Sequence, residues 1–307
     1  MSDILVSVVI PVFNCDQYIA QCVNSVCSQT LKQIEIIVLD DCSTDSTLAN
    51  IPKDPRISII RNTKQTGSGS LRNKGISLSR GKFIAFLDGD DYYPNLDSLR
   101  RLTEIAEREN LNVVGGSLYI VNSKTGEKNY FFPGQFFKKS GYVNYRDYQH
   151  DGGFYRFIYR RDFLLSEKLE FPNLLRMQDP VFFVQAMINA KTFYVIPDYV
   201  YAYRKSHKII SWNYQQIYDK LKAIKLILKI SREQKLDHLH FLMVKNYINF
   251  SNHHFSELRN FKNQFKIFKN IYNTIDFELL KNCSSEERIR FVHLKLFGIF
   301  LKSLLLI

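Results

Sequence analysis

The chain has 307 residues, 45% of them hydrophobic and 23% charged, with a formal net charge of +12. That size holds one large domain or two smaller ones, and the composition fits a globular soluble or peripheral protein. The five cysteines (Cys15, Cys22, Cys27, Cys42 and Cys283) include no Cys-x-x-Cys pair, which argues against a zinc site or a disulfide framework and for a reduced interior. No apolar stretch reaches ~20 residues without a charge, which argues against a spanning helix. Met1-Ser2-Asp3 runs straight into a strand-like segment, so no signal peptide is expected. The basic excess favours an anionic partner: nucleic acid, a membrane surface or a phosphorylated substrate. It is uneven, because from Trp212 onward 16 Lys+Arg face 8 Asp+Glu.

Ile4–Ile10 reads as a buried strand ended by Pro11, with Asn14 or Asp16 placed to cap the first helix. In Tyr18–Gln29, Ile19, Cys22, Val23 and Val26 fall at helical spacing, which makes Cys22 and Cys27 core filler rather than reactive thiols. Ile34–Leu39 is a second strand ending at Asp40-Asp41, and Asp45 is placed to cap a short helix near Ser46–Asn50. Ile57–Ile60 is a third strand. Gly67-Ser68-Gly69-Ser70 opens a helix that runs to about Ser79 and is closed by Gly81. Phe83–Leu87 is a fourth strand and Leu96–Asn110 an amphipathic helix. Strands alternating with helices across short connections predict a parallel α/β sheet. Val113–Val121 and Glu127–Phe132 predict a hairpin across Ser123–Gly126.

Phe136–Phe171 is less regular and strongly aromatic. Gly152-Gly153 with Phe154, Tyr155, Phe157 and Tyr159 offers ring faces for a sugar, or an ordinary core with a glycine turn. Asp179-Pro180 begins a helix to Ala190, and Thr192–Pro197 and Tyr199–Tyr203 read as two further strands. The remainder is helical and basic, which sets the domains as 1–211 and 212–307. There is no internal repeat and no low-complexity segment.

The chemistry concentrates in Asp88-Gly89-Asp90-Asp91. Three carboxylates at the end of a buried strand repel one another unless positive charge sits among them, and a hard divalent cation prefers such oxygen ligands. In open α/β sheets ligands bind outside the carboxyl ends of strands, so the position suits a site. The same edge of a parallel sheet would carry Val9–Asn14, Asp40–Asp45 and the helix start Gly69-Ser70-Leu71-Arg72-Asn73-Lys74-Gly75, with Arg72 and Lys74 as phosphate counter-charges. Nothing resembles a base-reading module, so nucleic acid is set aside.

Four such loops in this order resemble the family 2 glycosyltransferases, inverting enzymes that use nucleotide-diphospho-sugars. The resemblance covers about residues 4–211. Its first-strand motif is Val9–Asn14. Its Asp-Asp-x-Ser-x-Asp motif is Asp40–Asp45, with Cys42 where Gly is commoner. Its Arg-Asn-x-Gly is Arg72–Gly75 and its Asp-x-Asp is Asp88–Asp90. Its late Tyr-x-Tyr-Arg…Ser pattern is Tyr201–Arg204 with Ser211. The resemblance implies an α/β GT-A fold, a Rossmann-like and mostly parallel sheet with flanking helices, followed by the helical C-terminal region. It implies a UDP-sugar donor and a glycan or lipid-linked glycan acceptor of bacterial surface polysaccharide type. It implies that Pro11, Phe13 and Asp41 hold the nucleobase, Asp41 accepting from a uracil N–H. Asp88 would lie at the ribose or metal, Asp90 would ligate Mn²⁺ or Mg²⁺, and Arg72 would reach the diphosphate or sugar. Arg204 and His207 would close over the diphosphate, and Asp179 would be the general base.

One departure stands out: Gln178 precedes Asp179 where the family usually has Glu. It motivates an alternative, a non-catalytic nucleotide-sugar or glycan-binding protein. A sugar nucleotidyltransferase is the weaker alternative, because its Gly-rich loop normally follows the first strand, whereas Gly67–Arg72 follows the third. Asp179 before Pro180 is also an ideal helix start, and Asp151 and Asp91 stand next in line if it only caps. The apolar Phe291–Ile307 and the basic run with Lys220, Lys222, Lys225 and Lys229 suit peripheral attachment to the anionic inner face of the bacterial cytoplasmic membrane, packing on the domain, or self-association as a homo-oligomer.

Overall fold

The computed structural model describes residues 4–130, 134–205, 212–258, 267 and 270–282. The chain falls into two compact units. The first comprises Met1–Tyr148, Gly152–Asn173 and Phe182–Ile210, and the second comprises Gln149–Asp151, Leu174–Val181 and Ser211–Ile307.

The first unit is built on one sheet. Its strands are β1 (Val6–Val12), β2 (Ile34–Asp40), β3 (Ile57–Arg61), β4 (Phe83–Phe86), β5 (Val113–Asn122), β6 (Lys128–Asn129), β7 (Gly141–Asn144), β8 (Phe157–Arg160) and β9 (Thr192–Lys205). They lie in the order β3-β2-β1-β4-β8-β5-β9-β7, with β6 pairing β5. β1 to β4 are mutually parallel, β8 runs against both β4 and β5, and β5 runs parallel to β9. The carboxyl ends of β1, β2, β4, β5 and β9 therefore share one edge. β1 and β2 are buried along their length, mostly apolar, with Ser7 Oγ donating to Glu35 at 2.6 Å where the two polar residues face each other.

The helices are α1 (Ile19–Cys27), α2 (Ser68–Leu78), α3 (Ser98–Arg108), the single turn α4 (Tyr145–Tyr148), α5 (Arg161–Ser166) and α6 (Gln178–Ala190). One core gathers Val6, Val8 and Ile10 of β1 with Ile19, Cys22, Val23 and Val26 of α1 and Leu99 and Leu102 of α3. α2 lies against the opposite face: a Cβ on Gly75 would come within 2.3 Å of Val9, so only glycine lets that helix backbone approach the strand. Phe86 also points to this side, among Phe154, Phe171 and Phe182.

Several local expectations change. β1 continues through Pro11 to Val12, and Pro11 pairs in register with Leu39. The missing N–H is tolerated because β4 pairs β1 only through Val9, leaving that side of Pro11 without a ladder partner. Neither Asn14 nor Asp16 caps α1, whose N-cap is Tyr18. Asp45 starts no helix; its Oδ1 accepts from the amide and the hydroxyl of Thr47, closing a turn. The two late strands are one, because β9 runs unbroken through Pro197-Asp198, where its register against β5 shifts between Gly115 and Ser117.

The second unit contains α7 (Tyr214–Glu233), α8 (Asp237–Leu258) and a 3₁₀ turn, Leu279–Asn282. Asn213 and Gln216 form a reciprocal capping box that starts α7. Between α7 and α8, His240 is fully buried. Its Nε2 accepts from the Asp276 amide at 2.9 Å, so the proton sits on Nδ1 and is donated to Ser231 Oγ at 2.8 Å. Burial lowers the His240 pKa to about 4, and Arg232 adds to that while Asp276 opposes it. No helix among the described residues is long and apolar enough to cross a membrane. Phe291–Ile307 and Cys283 lie outside the described residues.

Candidate active site

The carboxylates at the end of β4 take three different environments. Asp88 accepts from Arg72 Nη2 at 2.6 Å. Arg72 is itself buried, and its guanidinium lies 4.9 Å from the ring centroid of Phe154 and 5.3 Å from that of Phe171. A partly exposed carboxylate is thus held by a cation that aromatic faces keep from swinging away. Asp91 turns inward. Its Oδ2 accepts from Tyr201 Oη at 2.7 Å and its Oδ1 from the Arg204 amide at 2.6 Å. Burial pushes the Asp91 carboxyl well above the usual range, Asp90 and Asp88 add to the rise, and the two hydrogen bonds oppose it. Tyr201 Oη also accepts from the Asp88 amide at 3.2 Å, so one phenol organises both ends of the turn.

Asp90 lies between them in sequence and is half-buried. Arg204 Nε donates to its carbonyl at 2.6 Å, while Arg204 Nη2 donates to Gln21 at 2.6 Å. The Arg204 guanidinium also lies over the rings of Tyr18 and Tyr92, at 4.6 and 5.4 Å. Gly89 gives the turn its closeness to β1, since a Cβ there would sit 2.9 Å from Val12 and 3.4 Å from the Pro11 carbonyl oxygen.

Asp41 is held by the loop that opens α2. Its Oδ1 accepts from the Thr66 amide at 2.8 Å, and its Oδ2 accepts from the Gly67 amide at 2.9 Å. Asn62 and the Thr66 hydroxyl reach Oδ1 at 3.3 Å, and Lys74 Nζ donates to Asn62 Oδ1 at 3.0 Å. Oδ2, with one internal donor, keeps room for a further N–H. Asp40 is fully buried, accepts from the Ser43 amide and pairs with Arg61 at 3.2 Å. Cys42 adopts φ +68°, the left-handed backbone that explains why glycine is commoner at that position. Phe13 is 44% exposed just past β1, and Pro11 is buried within it.

The sheet thus brings Pro11, Phe13, Asp41, Arg72, Asp88, Asp90 and Arg204 to its carboxyl edge. Asp179 stands in the first turn of α6, in a stretch that belongs to the second unit. His207 and Ser211 lie outside the described residues. The sequence gives no hint of the parts played by Gln21 and Phe171, whose partners lie far along the chain. Tyr201 is legible only as part of a motif. Of the two readings of Phe154, a ring face for a sugar or ordinary core, the structure gives the core: the ring is buried and packs against Arg72 and Phe86.

Among the described residues no group of three or more His, Cys, Asp or Glu side chains is arranged to hold a metal ion. Asp91 is committed to Tyr201 and the Arg204 amide, which leaves Asp88 and Asp90 as the donors. Two carboxylates still fit Mg²⁺ or Mn²⁺, which commonly take one or two protein carboxylates together with waters and substrate phosphates.

Residues 7–165 match Glycosyl transferase family 2, about half of the chain, and the protein belongs to that family. It is 31% identical over 216 residues to the uncharacterized glycosyltransferase EpsJ of Bacillus subtilis, covering 66% of this chain and 61% of that one. Over 91 residues it is 46% identical to the Escherichia coli UDP-Glc:alpha-D-GlcNAc-diphosphoundecaprenol beta-1,3-glucosyltransferase WfaP, covering 29% of this chain and 36% of that one. The chain thus spans less than two thirds of the length of these relatives. The crystal structure of Staphylococcus aureus TarS residues 1–349 in complex with UDP superposes with a TM-score of 0.75 at 21% identity, over 97% of this chain and 88% of that one. The fold is GT-A, with a central sheet and flanking helices as the alternation of elements predicts.

Proposed function

We propose that the protein is an inverting glycosyltransferase that moves a sugar from a UDP-sugar to a hydroxyl of a lipid-linked glycan or polysaccharide. The observation that carries the reading is Asp88, buttressed by buried Arg72 and followed by Asp90, at the carboxyl end of β4 in a chain of this family. In it, Asp41 Oδ2 accepts from the uracil N–H, and Phe13 and Pro11 flank the base. Asp90 and Asp88 hold Mn²⁺ or Mg²⁺, which when bound supplies positive charge to the diphosphate. Arg204 adds positive charge beside Asp90. Asp179 accepts the proton of the acceptor hydroxyl as that oxygen bonds to the anomeric carbon and the bond to the diphosphate oxygen breaks. Attack opposite the leaving group turns an α-linked donor into a β-linked product. The name of the WfaP relative, with its UDP-glucose donor and diphosphate-linked acceptor, supports both substrate classes. Such an acceptor also suits action at the inner face of the cytoplasmic membrane.

The test is donor hydrolysis and transfer from UDP-sugars with Mn²⁺, Mg²⁺ or chelator, repeated with Asp90→Asn and Asp179→Asn. α6 starts at Gln178, so Asp179 lies within its first turn rather than at its cap. Asp179→Asn keeps the size and shape of the side chain there, so folding and UDP binding persist while turnover falls roughly 10²–10⁴-fold, the loss expected of a missing general base. Chelator and Asp90→Asn each abolish transfer. Full turnover in Asp179→Asn transfers the base role to another carboxylate, and UDP-sugar binding without any turnover of the wild-type chain favours the binding-protein reading.

A further inference from the structure

The second unit holds a group of polar side chains that its own packing leaves unused. Arg176 and Lys220 both lie against Trp212, with the guanidinium carbon 5.9 Å and the ammonium nitrogen 5.1 Å from the ring centroid. Lys220 Nζ is also 4.2 Å from the Phe250 centroid. Among the described residues neither cation makes a hydrogen bond or an ion pair, nor does the Asp151 side chain with any other residue. All three are half-buried. Burial lowers the pKa of Lys220 and raises that of Asp151, and each of these two groups partly offsets the other's shift.

Cations on an aromatic face gain from the ring quadrupole, but that leaves their N–H donors unspent. Partly desolvated charges without hydrogen-bond partners are costly to keep, so such groups point to a ligand. The chemistry selects it. Two convergent cations suit the oxygens of a phosphate ester, and a planar guanidinium can meet two of them at once. The Trp212 ring offers an apolar face to a sugar or polyol carbon skeleton, and Asp151 offers an acceptor for its hydroxyls. The group carries two positive charges and one carboxyl, which matches an anionic ligand that also bears hydroxyls. UDP-sugar fits this description too, but the donor is already served by the carboxyl edge of the sheet in the first unit. Arg176 lies three residues before Asp179, the base in the proposed reaction, in the same stretch of the second unit.

We infer that Arg176, Lys220, Trp212, Phe250 and Asp151 form a subsite of the second unit for the phosphate group of a phosphorylated glycan acceptor. This rests on the glycosyl-transfer reading for the ligand's role, but not for its binding. The phosphate has two chemical sources, the diphosphate of a lipid-linked sugar or a phosphodiester of a polyol-phosphate chain.

Trp212 is the one tryptophan in the chain, so its fluorescence reports this subsite directly. The full chain is titrated with a short-chain prenyl-diphospho-GlcNAc, with an oligo(ribitol phosphate), with the free reducing sugar of the first probe, and separately with UDP. The expected result is a saturable change with one of the two phosphate-bearing probes and at least ten-fold weaker binding of the neutral sugar. The probe that saturates identifies the source. Arg176→Gln with Lys220→Gln weakens that probe by about ten- to hundred-fold, the loss expected of charge-assisted hydrogen bonds. The charge-keeping pair Arg176→Lys with Lys220→Arg holds the loss below ten-fold and guards against misfolding. Equal binding of neutral and phosphorylated probes, no binding of either phosphorylated probe, or wild-type affinity in the double Gln variant overturns the subsite. Failure of sugar transfer with the binding intact overturns the enzymatic reading alone.

Discussion

Two polar clusters in this protein solve the same electrostatic problem in opposite ways. At the sheet edge of the first unit, Asp40, Asp41, Asp88 and Asp91 are each met by donors of that unit: Ser43 and Arg61, Thr66 and Gly67, Arg72, and Tyr201 with the Arg204 amide. In the second unit, Asp151, Arg176 and Lys220 make no side-chain hydrogen bond among the described residues, and the two cations rest on aromatic faces instead. The first cluster is held by internal partners before any ligand arrives, which suits the positioning of a diphosphate for reaction. The second keeps its donors for a molecule from outside.

The sharpest way to break this contrast is to remove the buried cation that the first cluster depends on. Arg72→Leu leaves Asp88 without its partner. It is expected to destabilise the first unit by about 2–4 kcal/mol, a little under the range for splitting a fully buried ion pair because Asp88 is partly exposed. Adding Asp88→Asn should recover part of that loss, since the uncompensated charge is gone. Denaturant unfolding of the two single variants and the double variant measures the coupling. Simple additivity would mean that the pair does not organise the site.

A smaller effect sharpens the comparison from the other side, because the second unit also contains buried polar groups that are served internally, His240 among them. His240 is neutral when folded, with its pKa lowered to about 4, against about 6.5 in an unfolded chain. The unfolded state therefore binds the extra proton first, and stability is lost as pH falls from about 6.5 towards 4, by roughly 1–3 kcal/mol. Protonating Nε2 would also set it against the Asp276 amide that it now accepts from. Urea unfolding followed by Trp212 fluorescence at pH 7 and pH 4.5 measures the loss, and His240→Gln should flatten it. The smallest effect is Asn213→Ala, which removes the capping box of α7 and should cost about 1 kcal/mol in the same assay, equally at both pH values.

The parallel half of the sheet was legible because strands buried on both faces are mostly apolar, with the buried Ser7 and Glu35 satisfying each other across β1 and β2. β1, β2 and β4 could thus be read directly, and their loops in order carried the motifs. The other half obeys long-range pairing that no local pattern encodes. β8 is inserted antiparallel between β4 and β5, although the aromatic sequence leading up to it has no clear period. The reading of β9 as two strands divides it at Pro197 because proline breaks a ladder, and only the register shift against β5 accommodates it. At the site, the residue types were legible and their directions were not. Asp88, Asp90 and Asp91 are equivalent as letters, yet Asp91 is drawn inward by a tyrosine 110 positions away. The positive charge that three carboxylates require is partly internal, in Arg72, whose burial was hidden by its place in a polar helix start.

That reach across 110 positions also bears on how the protein is made. As the chain leaves the ribosome, β1 to β4 and their loops can pair and collapse among themselves, since all their contacts are parallel crossovers of modest span. The Asp88–Asp91 turn emerges with them but stays incomplete. Tyr201 and the Arg204 amide, which lock Asp91, arrive more than a hundred residues later. At ≈ 5–20 residues/s the nascent domain spends about 5–20 s with its acidic turn open. A polypeptide halted just short of β9 would carry Asp41 and Asp88 with their partners and still lack the two contacts that fix Asp91.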